Sequence, residues 1–371
     1  MDQRTCSPAA ASWRLLPIAA FLAAALLILS APATAQLSLV GEAILDPADS
    51  ARGISVELSY AYVGLFTDGI QKKVDLAIPS LPTTVATFNP AFGDEWAENF
   101  VHNGKLICGH SFGGLNLWDV TGAPTVLDTA TTTYHYDGLD VLNPPGQEFL
   151  IYSEHNASSA PAGIRVYDIL GGSLTYVSDD LLGGNLRDGR FLVVTRDSWV
   201  YQLDGGAGST RPLTLNIYDL TIPVLPVSYP QFDMGNAVGS YEGHTDLELD
   251  PFVQQMLYAA CGDDGLRMID VSVRSAPVVV NTLGAPGYYV KELSFLENSI
   301  FLVVSVRLPS GQWRFRVLDC SIPPSPVPVG SWLGSPNYEI HDLQAEWLPT
   351  GPAVLVAGEN SLGQATLQVW M

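Results

Sequence analysis

Short apolar runs rich in Val, Leu, Tyr and Phe, each bounded by Gly, Pro, Asn or Asp, follow one another along almost the whole chain. That pattern predicts strands. Beyond the N-terminus no stretch carries an apolar stripe at helical spacing. One motif organises the runs: Gly265-Leu266-Arg267-Met268-Ile269-Asp270-Val271-Ser272, then Pro277-Val278-Val279-Val280. It reads as a strand ending in an aspartate, a short turn and a second strand. The aspartate recurs at Asp75, Asp119, Asp168, Asp219, Asp270 and Asp319, with successive gaps of 44, 49, 51, 51 and 49 residues. A further step of 51 reaches Trp370, where the last strand ends without its aspartate. Proline follows most copies (Pro79, Pro124, Pro223, Pro277, Pro323). Lacking an N–H, it suits a turn or strand start and not a strand centre.

Each copy divides into strands, which in the sixth are Tyr289–Phe295, Ile300–Val306, Trp313–Asp319 and Pro326–Trp332. The run Ile300-Phe301-Leu302-Val303-Val304 is apolar at every position, which implies burial on both faces, as when sheets stack on sheets. Four antiparallel strands per repeat and seven repeats predict an all-β fold, a seven-bladed β-propeller. Blades are expected over Gly53–Phe88, Trp96–Asp128, Gly138–Asp179, Gly184–Phe232, Thr245–Leu283 and Tyr289–Leu333. The last repeat supplies Glu339–Glu346, Pro352–Ala357 and Ala365–Trp370 and lacks its outer strand. Leu37-Ser38-Leu39-Val40-Gly41-Glu42-Ala43 matches the outer strand around Val329-Gly330, so the N-terminal strand is expected to complete the last blade. An open terminal blade would expose apolar surface and unpaired edges. Long loops between second and third strands are expected at Ser153–Gly163 and Asp204–Pro212, and a shorter one at Arg307–Gln312.

Residues 1–35 stand apart. Arg4 and Arg14 precede an apolar run from Leu15 to Ser30, and Ala33-Thr34-Ala35 is a small-x-small site before Gln36. This reads as a cleavable secretory signal, leaving residues 36–371 as one propeller, secreted, periplasmic or at the cell surface. The formal charge is −21; removing Asp2, Arg4 and Arg14 leaves 15 basic and 37 acidic residues, or −22. Such a surface repels nucleic acid and anionic membrane. It suits a soluble monomer with no stable membrane insertion. Three cysteines remain, Cys108, Cys261 and Cys320. The odd number excludes a complete disulfide framework, and they read as small buried hydrophobes.

With the repeat in hand, the chain resembles the LVIVD-repeat family of secreted and cell-surface β-propellers. The likeness rests on Ala61-Tyr62-Val63-Gly64, Tyr258-Ala259-Ala260-Cys261, Gly265-Leu266 with Asp270-Val271-Ser272, and Asp119-Val120-Thr121 with Pro124. The resemblance implies an architecture and a binding or scaffold role outside the cell. It brings no catalytic motif with it.

Two polar sets recur along the chain. The aspartates ending third strands fit a structural role, each carboxylate capping N–H groups of the following turn. A second polar set opens the inner strands, namely Asp140, Asp246, Glu292 and Asp342, and is expected to line the channel mouth with His135, His244 and His341. Tyr134, Tyr136, Tyr241, Tyr289 and Tyr338 share that face, as do loops beginning at His110 and His155. The binding candidates are therefore His135, Asp140, His244, Asp246, Tyr289, Glu292, His341 and Asp342. No serine-hydrolase elbow, phosphate loop, zinc-protease helix or dinucleotide fingerprint occurs. Gly262-Asp263-Asp264-Gly265 reads as a hairpin turn and not a calcium loop. The leading expectation is a non-enzymatic module binding a protein, peptide or glycan through its loop-bearing face. The alternative is an extracytoplasmic hydrolase or lyase, with a divalent metal on His244, Asp246, His341 and Asp342.

Overall fold

The structure is a computed structural model that describes residues 37–89, 97–110, 114–131, 135–155, 162–182, 192–196, 198–204, 213–234, 246–284 and 288–371. From Leu37 onward it is all-β, and no helix occurs among the described residues. Blade 1 is β2 (Ala51–Glu57), β3 (Tyr60–Leu65), β4 (Gln71–Asp75) and β5 (Thr83–Phe88). Blade 2 is β6 (Ala97–His102), β7 (Lys105–His110), β8 (Gly114–Asp119) and β9 (Thr125–Thr131). Blade 3 is β10 (His135–Leu142), β11 (Phe149–His155), β12 (Ala162–Asp168) and β13 (Thr175–Leu182). Blade 4 is β14 (Leu192–Arg196), β15 (Trp199–Asp204), β16 (Thr214–Asp219), and a split outer strand, β17 (Val227–Ser228) and β18 (Phe232–Asp233). Blade 5 is β19 (Asp246–Leu249), β20 (Met256–Ala260), β21 (Leu266–Asp270) and β22 (Val278–Leu283). Blade 6 is β23 (Tyr289–Phe295), β24 (Phe301–Arg307), β25 (Trp313–Asp319) and β26 (Val327–Leu333). Blade 7 is β27 (Glu339–Leu348), β28 (Gly351–Glu359), β29 (Ala365–Trp370) and, paired to β29, the N-terminal β1 (Leu39–Asp46). The inner strands pack in order around a ring, and β27 meets β2 to close it.

Burial follows the radial position predicted from the pattern. The second strands β3, β7, β20 and β24 are buried at nearly every position. Each fully buried Val or Leu there contributes about 1.5–3 kcal/mol. The outer strand β22 alternates exposed and half-buried residues. Blade 4 departs from the expected continuous outer strand: Pro226 precedes β17, and Pro230 separates it from β18, because proline cannot donate to the ladder.

The aspartate repeat is a fastening device. Asp75, Asp119, Asp168, Asp219, Asp270 and Asp319 each accept the N–H two residues on, at 2.8–2.9 Å. The residue after each aspartate is buried, and its N–H reaches a carbonyl in or beside the turn between the blade's first two strands. Examples are Leu76 to Ser59 at 2.8 Å, Val271 to Gln255 at 2.8 Å and Cys320 to Ile300 at 2.9 Å. Asp, apolar residue and turn thus lock the third strand to the blade's inner hairpin. Cys320 is one of these apolar anchors, and Cys108 and Cys261 are equally buried. Burial pushes the Cys320 thiol up to about 12 and raises Cys108 further, so both stay protonated and unreactive.

The latch is β1. Leu39 to Asp46 pairs antiparallel with β29, and Ser38 and Met371 exchange backbone hydrogen bonds at 2.9 and 3.1 Å. It runs slightly later in sequence than the expected Leu37–Ala43. Gly41 is required there: a Cβ would lie 2.1 Å from the Pro79 carbonyl of blade 1.

Candidate functional site

Bulges in the inner strands shape the loop-bearing face. Pairing of β2 with β3 slips between Ala51 and Ile54, that of β23 with β24 between Val290 and Leu293, and that of β27 with β28 between Ile340 and Asp342. A bulge leaves an extra residue to be aimed away from the ladder. The extra residues include Arg52, Lys291 and His341, in three consecutive blades, and they form a polar belt. The buried Lys291 Nζ donates to the Ile340 carbonyl, lies 3.7 Å from Glu339 and sits over the Trp313 ring. His341 Nδ1 lies 2.8 Å from Arg52 Nη1, and its Nε2 lies 3.1 Å from Glu359 Oε1. A guanidinium only donates, so Nδ1 accepts and Nε2–H donates, which selects one neutral tautomer. The His341 hydrogen bond holds the Glu359 carboxyl below its usual range against burial, with Ser50 and Arg52 adding to it. Arg52 also stacks on Phe66, 4.5 Å from the ring centroid.

Inner-strand carboxylates staple one blade to the next. Asp246 accepts the N–H of Leu293 in blade 6 at 2.6 Å, and Asp342 accepts that of Ile54 in blade 1 at 2.7 Å. Each also accepts the N–H of its own following residue, from Leu247 at 2.6 Å and Leu343 at 2.7 Å. Ser294 does the same for Ala345 at 2.9 Å. These side chains satisfy N–H groups on the free inner edge of the neighbouring blade. Asp140 caps Val141 at 2.7 Å. Asp140 and Asp246 together face Glu248, whose carboxyl accepts the Phe295 N–H. Burial first, then these two carboxylates, push Glu248 well above its usual range.

Beside the belt lies an open cleft of about 450 Å³, lined by Asp263, Tyr289, Arg307, Leu308, Pro309, Gly311 and Glu339. Its walls come from blades 5, 6 and 7, and backbone bonds fix each. The β20–β21 hairpin carrying Asp263 is stitched to β23 by reciprocal Gly262–Val290 bonds of 3.0 Å. The β24–β25 loop closes with Leu308 N–H to Gln312 O at 2.9 Å and Gly311 N–H to Leu308 O at 2.8 Å. Gln312 Nε2 anchors that loop to the Gly334 carbonyl at 3.1 Å. Gly311 takes a φ of 83°, which suits glycine. Arg307 lies over Tyr289 and Trp313, 4.9 and 5.9 Å from the ring centroids.

The sequence-derived candidates separate accordingly. Tyr289 lines the cleft, and Glu292, within the β23 bulge, is buried, with its N–H bonded to Ser305 Oγ at 2.9 Å. His341 and Asp342, though adjacent, engage different partners. Tyr338 is buried in blade 7, its hydroxyl near the Val356 and Thr366 carbonyls at 3.2 and 3.3 Å. His135 and His155 are backbone partners in the β10–β11 ladder. His244, Tyr134, Tyr241 and residues 1–36 lie outside the described residues. Among the described residues no group of three or more His, Cys, Asp or Glu stands at metal-binding geometry. Sequence reasoning passed over Arg307, Asp263, Glu339, Lys291 and Arg52. The signal available for Arg307 and Asp263 was their position in loops between second and third strands, both on the loop-bearing face.

No protein-family model matches the chain, and no curated protein sequence matches it. Among solved structures it is similar to the computationally designed Ika8 protein, with a TM-score of 0.54 and 13% identity, covering 90% of this chain and 99% of that one. It is also similar to a functionally unknown protein from Desulfotomaculum acetoxidans DSM 771, with a TM-score of 0.60 and 11% identity, covering 84% and 90% of the two chains. At such identities the likeness is one of fold. The blades and their closure define the class: a seven-bladed β-propeller.

Proposed function

We propose that this chain is a secreted or cell-surface binding propeller, exported by its N-terminal signal and acting as a monomer. It holds a protein, peptide or glycan on its loop-bearing face. The observation that carries this reading is the rigid cleft between blades 5, 6 and 7, open to solvent and walled by charged, aromatic and apolar groups together. A cleft of this size with convergent charged groups has room for the end of a ligand. The repeat's resemblance to LVIVD propellers points the same way. The staple bonds of Asp246 and Asp342, and the placement of His341 between Arg52 and Glu359, favour it over a metal hydrolase drawing on those side chains. Screening the mature protein on peptide and glycan arrays tests the reading. Arg307→Ala is expected to abolish the captured signals, whereas Leu58→Ser, in a turn on the opposite face, keeps them. Signals indifferent to Arg307, or none at all, would overturn it.

A further inference from the structure

Resting on that reading, we propose that the cleft takes the free amino terminus of a peptide or protein. Three features converge on this chemistry. Asp263, exposed at its hairpin tip, and Glu339, 44% exposed at the start of β27, present carboxylates to the same space. Two carboxylates from separate blades suit an ammonium group with several N–H donors. Arg307 stands on the same lining, its guanidinium plane held against Tyr289 and Trp313. A guanidinium carries five N–H donors, of the kind that bond peptide carbonyls. Leu308 and Pro309 supply an apolar rim for the first side chain.

The competing chemistries fit less well. A carboxylate-ended ligand reaching Arg307 would also meet Asp263 and Glu339, at a like-charge cost. A neutral glycan hydrogen-bonds such walls but brings no cation to set against the two carboxylates. Lys291 lies below, bonded to the Ile340 carbonyl and 3.7 Å from Glu339. It orients Glu339 and tempers its charge, which leaves Asp263 as the stronger acceptor. The walls are already fixed by backbone bonds, so little ordering is needed on binding. The acidic protein as a whole, at −21, also draws cations towards it.

The test is a calorimetric titration of the mature protein with alanyl-triglycine amide, its N-acetylated form and maltotriose. The free-amine peptide is expected to bind, and acetylation, Asp263→Asn or Glu339→Gln to weaken it about ten-fold or more. Affinity should fall as pH rises through about 8, where an α-amino group loses its proton. Melting curves of both variants establish that they fold. Equal binding of the acetylated peptide, indifference to both substitutions, or no heat at about 10 mM peptide, a concentration far weaker than any specific site needs, would overturn the proposal. Arg307-dependent array signals that ignore acetylation, or maltotriose binding lost in Arg307→Ala, would sink this inference and leave the binding-propeller reading standing.

Discussion

At the scale of single residues, the placement of carboxyl groups decides more than their number. Glu346, near the end of β27, sits against Glu297 in the turn of blade 6. Burial first raises its pKa to about 7, the negative charge of Glu297 adds to this, and the Trp347 N–H at 3.0 Å opposes it. The folded pKa lies above the ordinary value of 4.5. The folded protein therefore holds a proton that the unfolded chain releases between those two values. The stability associated with this proton is complete below the unfolded pKa and is lost as pH rises through the folded one. Glu346→Gln should melt with the parent at pH 5 and above it at pH 8. A difference constant across that range would remove the paired carboxyl as its cause. Nothing in the sequence marks this pair, because Glu297 and Glu346 are 49 residues apart and meet only through blade packing.

At the scale of elements, side-chain staples turn independent blades into a ring. Asp342 illustrates the logic, since one carboxylate satisfies Leu343 on its own strand and Ile54 on the next blade. Ile54 is buried, so removing the acceptor strands its N–H. Asp342→Ala is expected to lower stability by about 1–3 kcal/mol in urea denaturation, with Asp342→Asn recovering part through its remaining carbonyl oxygen. A midpoint unchanged in the alanine variant would mean that water replaces the staple. The sequence placed Asp246 and Asp342 correctly at the heads of inner strands. It could not show that both reach the backbone of the neighbouring blade, or that a bulge in β27 lies beside Asp342. A bulge is a slip between two strands, and one strand's pattern does not contain it.

For the whole molecule, closure is the central event. Blade 7 draws β1 from one end of the chain and β27 to β29 from the other, and Gln368 Nε2 reaches Glu42 Oε2 at 2.8 Å across the joint. Without β1, β29 becomes an edge strand with one free row of backbone groups, open to pairing with another chain. Deleting residues 36–45 should lower the melting temperature and promote aggregation in a thermal scan followed by light scattering. Unchanged melting would separate the latch from stability. The same closure sets the cleft, because its walls come from three blades that only the ring holds side by side.

The strand pattern, the aspartate repeat and the unmatched ends of the chain determined the blade count, the all-β class and the latch by themselves. Each is local or periodic, and a period survives in the order of residues. The Asx turns were equally legible, since cap and donor stand two residues apart. The cleft, the Arg52–His341–Glu359 chain and the Glu297–Glu346 pair were decided by the tertiary structure alone. In the chain and the pair the members lie 18 to 307 residues apart, with His341 to Glu359 the shortest separation and Arg52 to Glu359 the longest, and the cleft draws Asp263, Arg307 and Glu339 from three blades. Only the ring's geometry and the slips of its inner strands bring them within reach of one another.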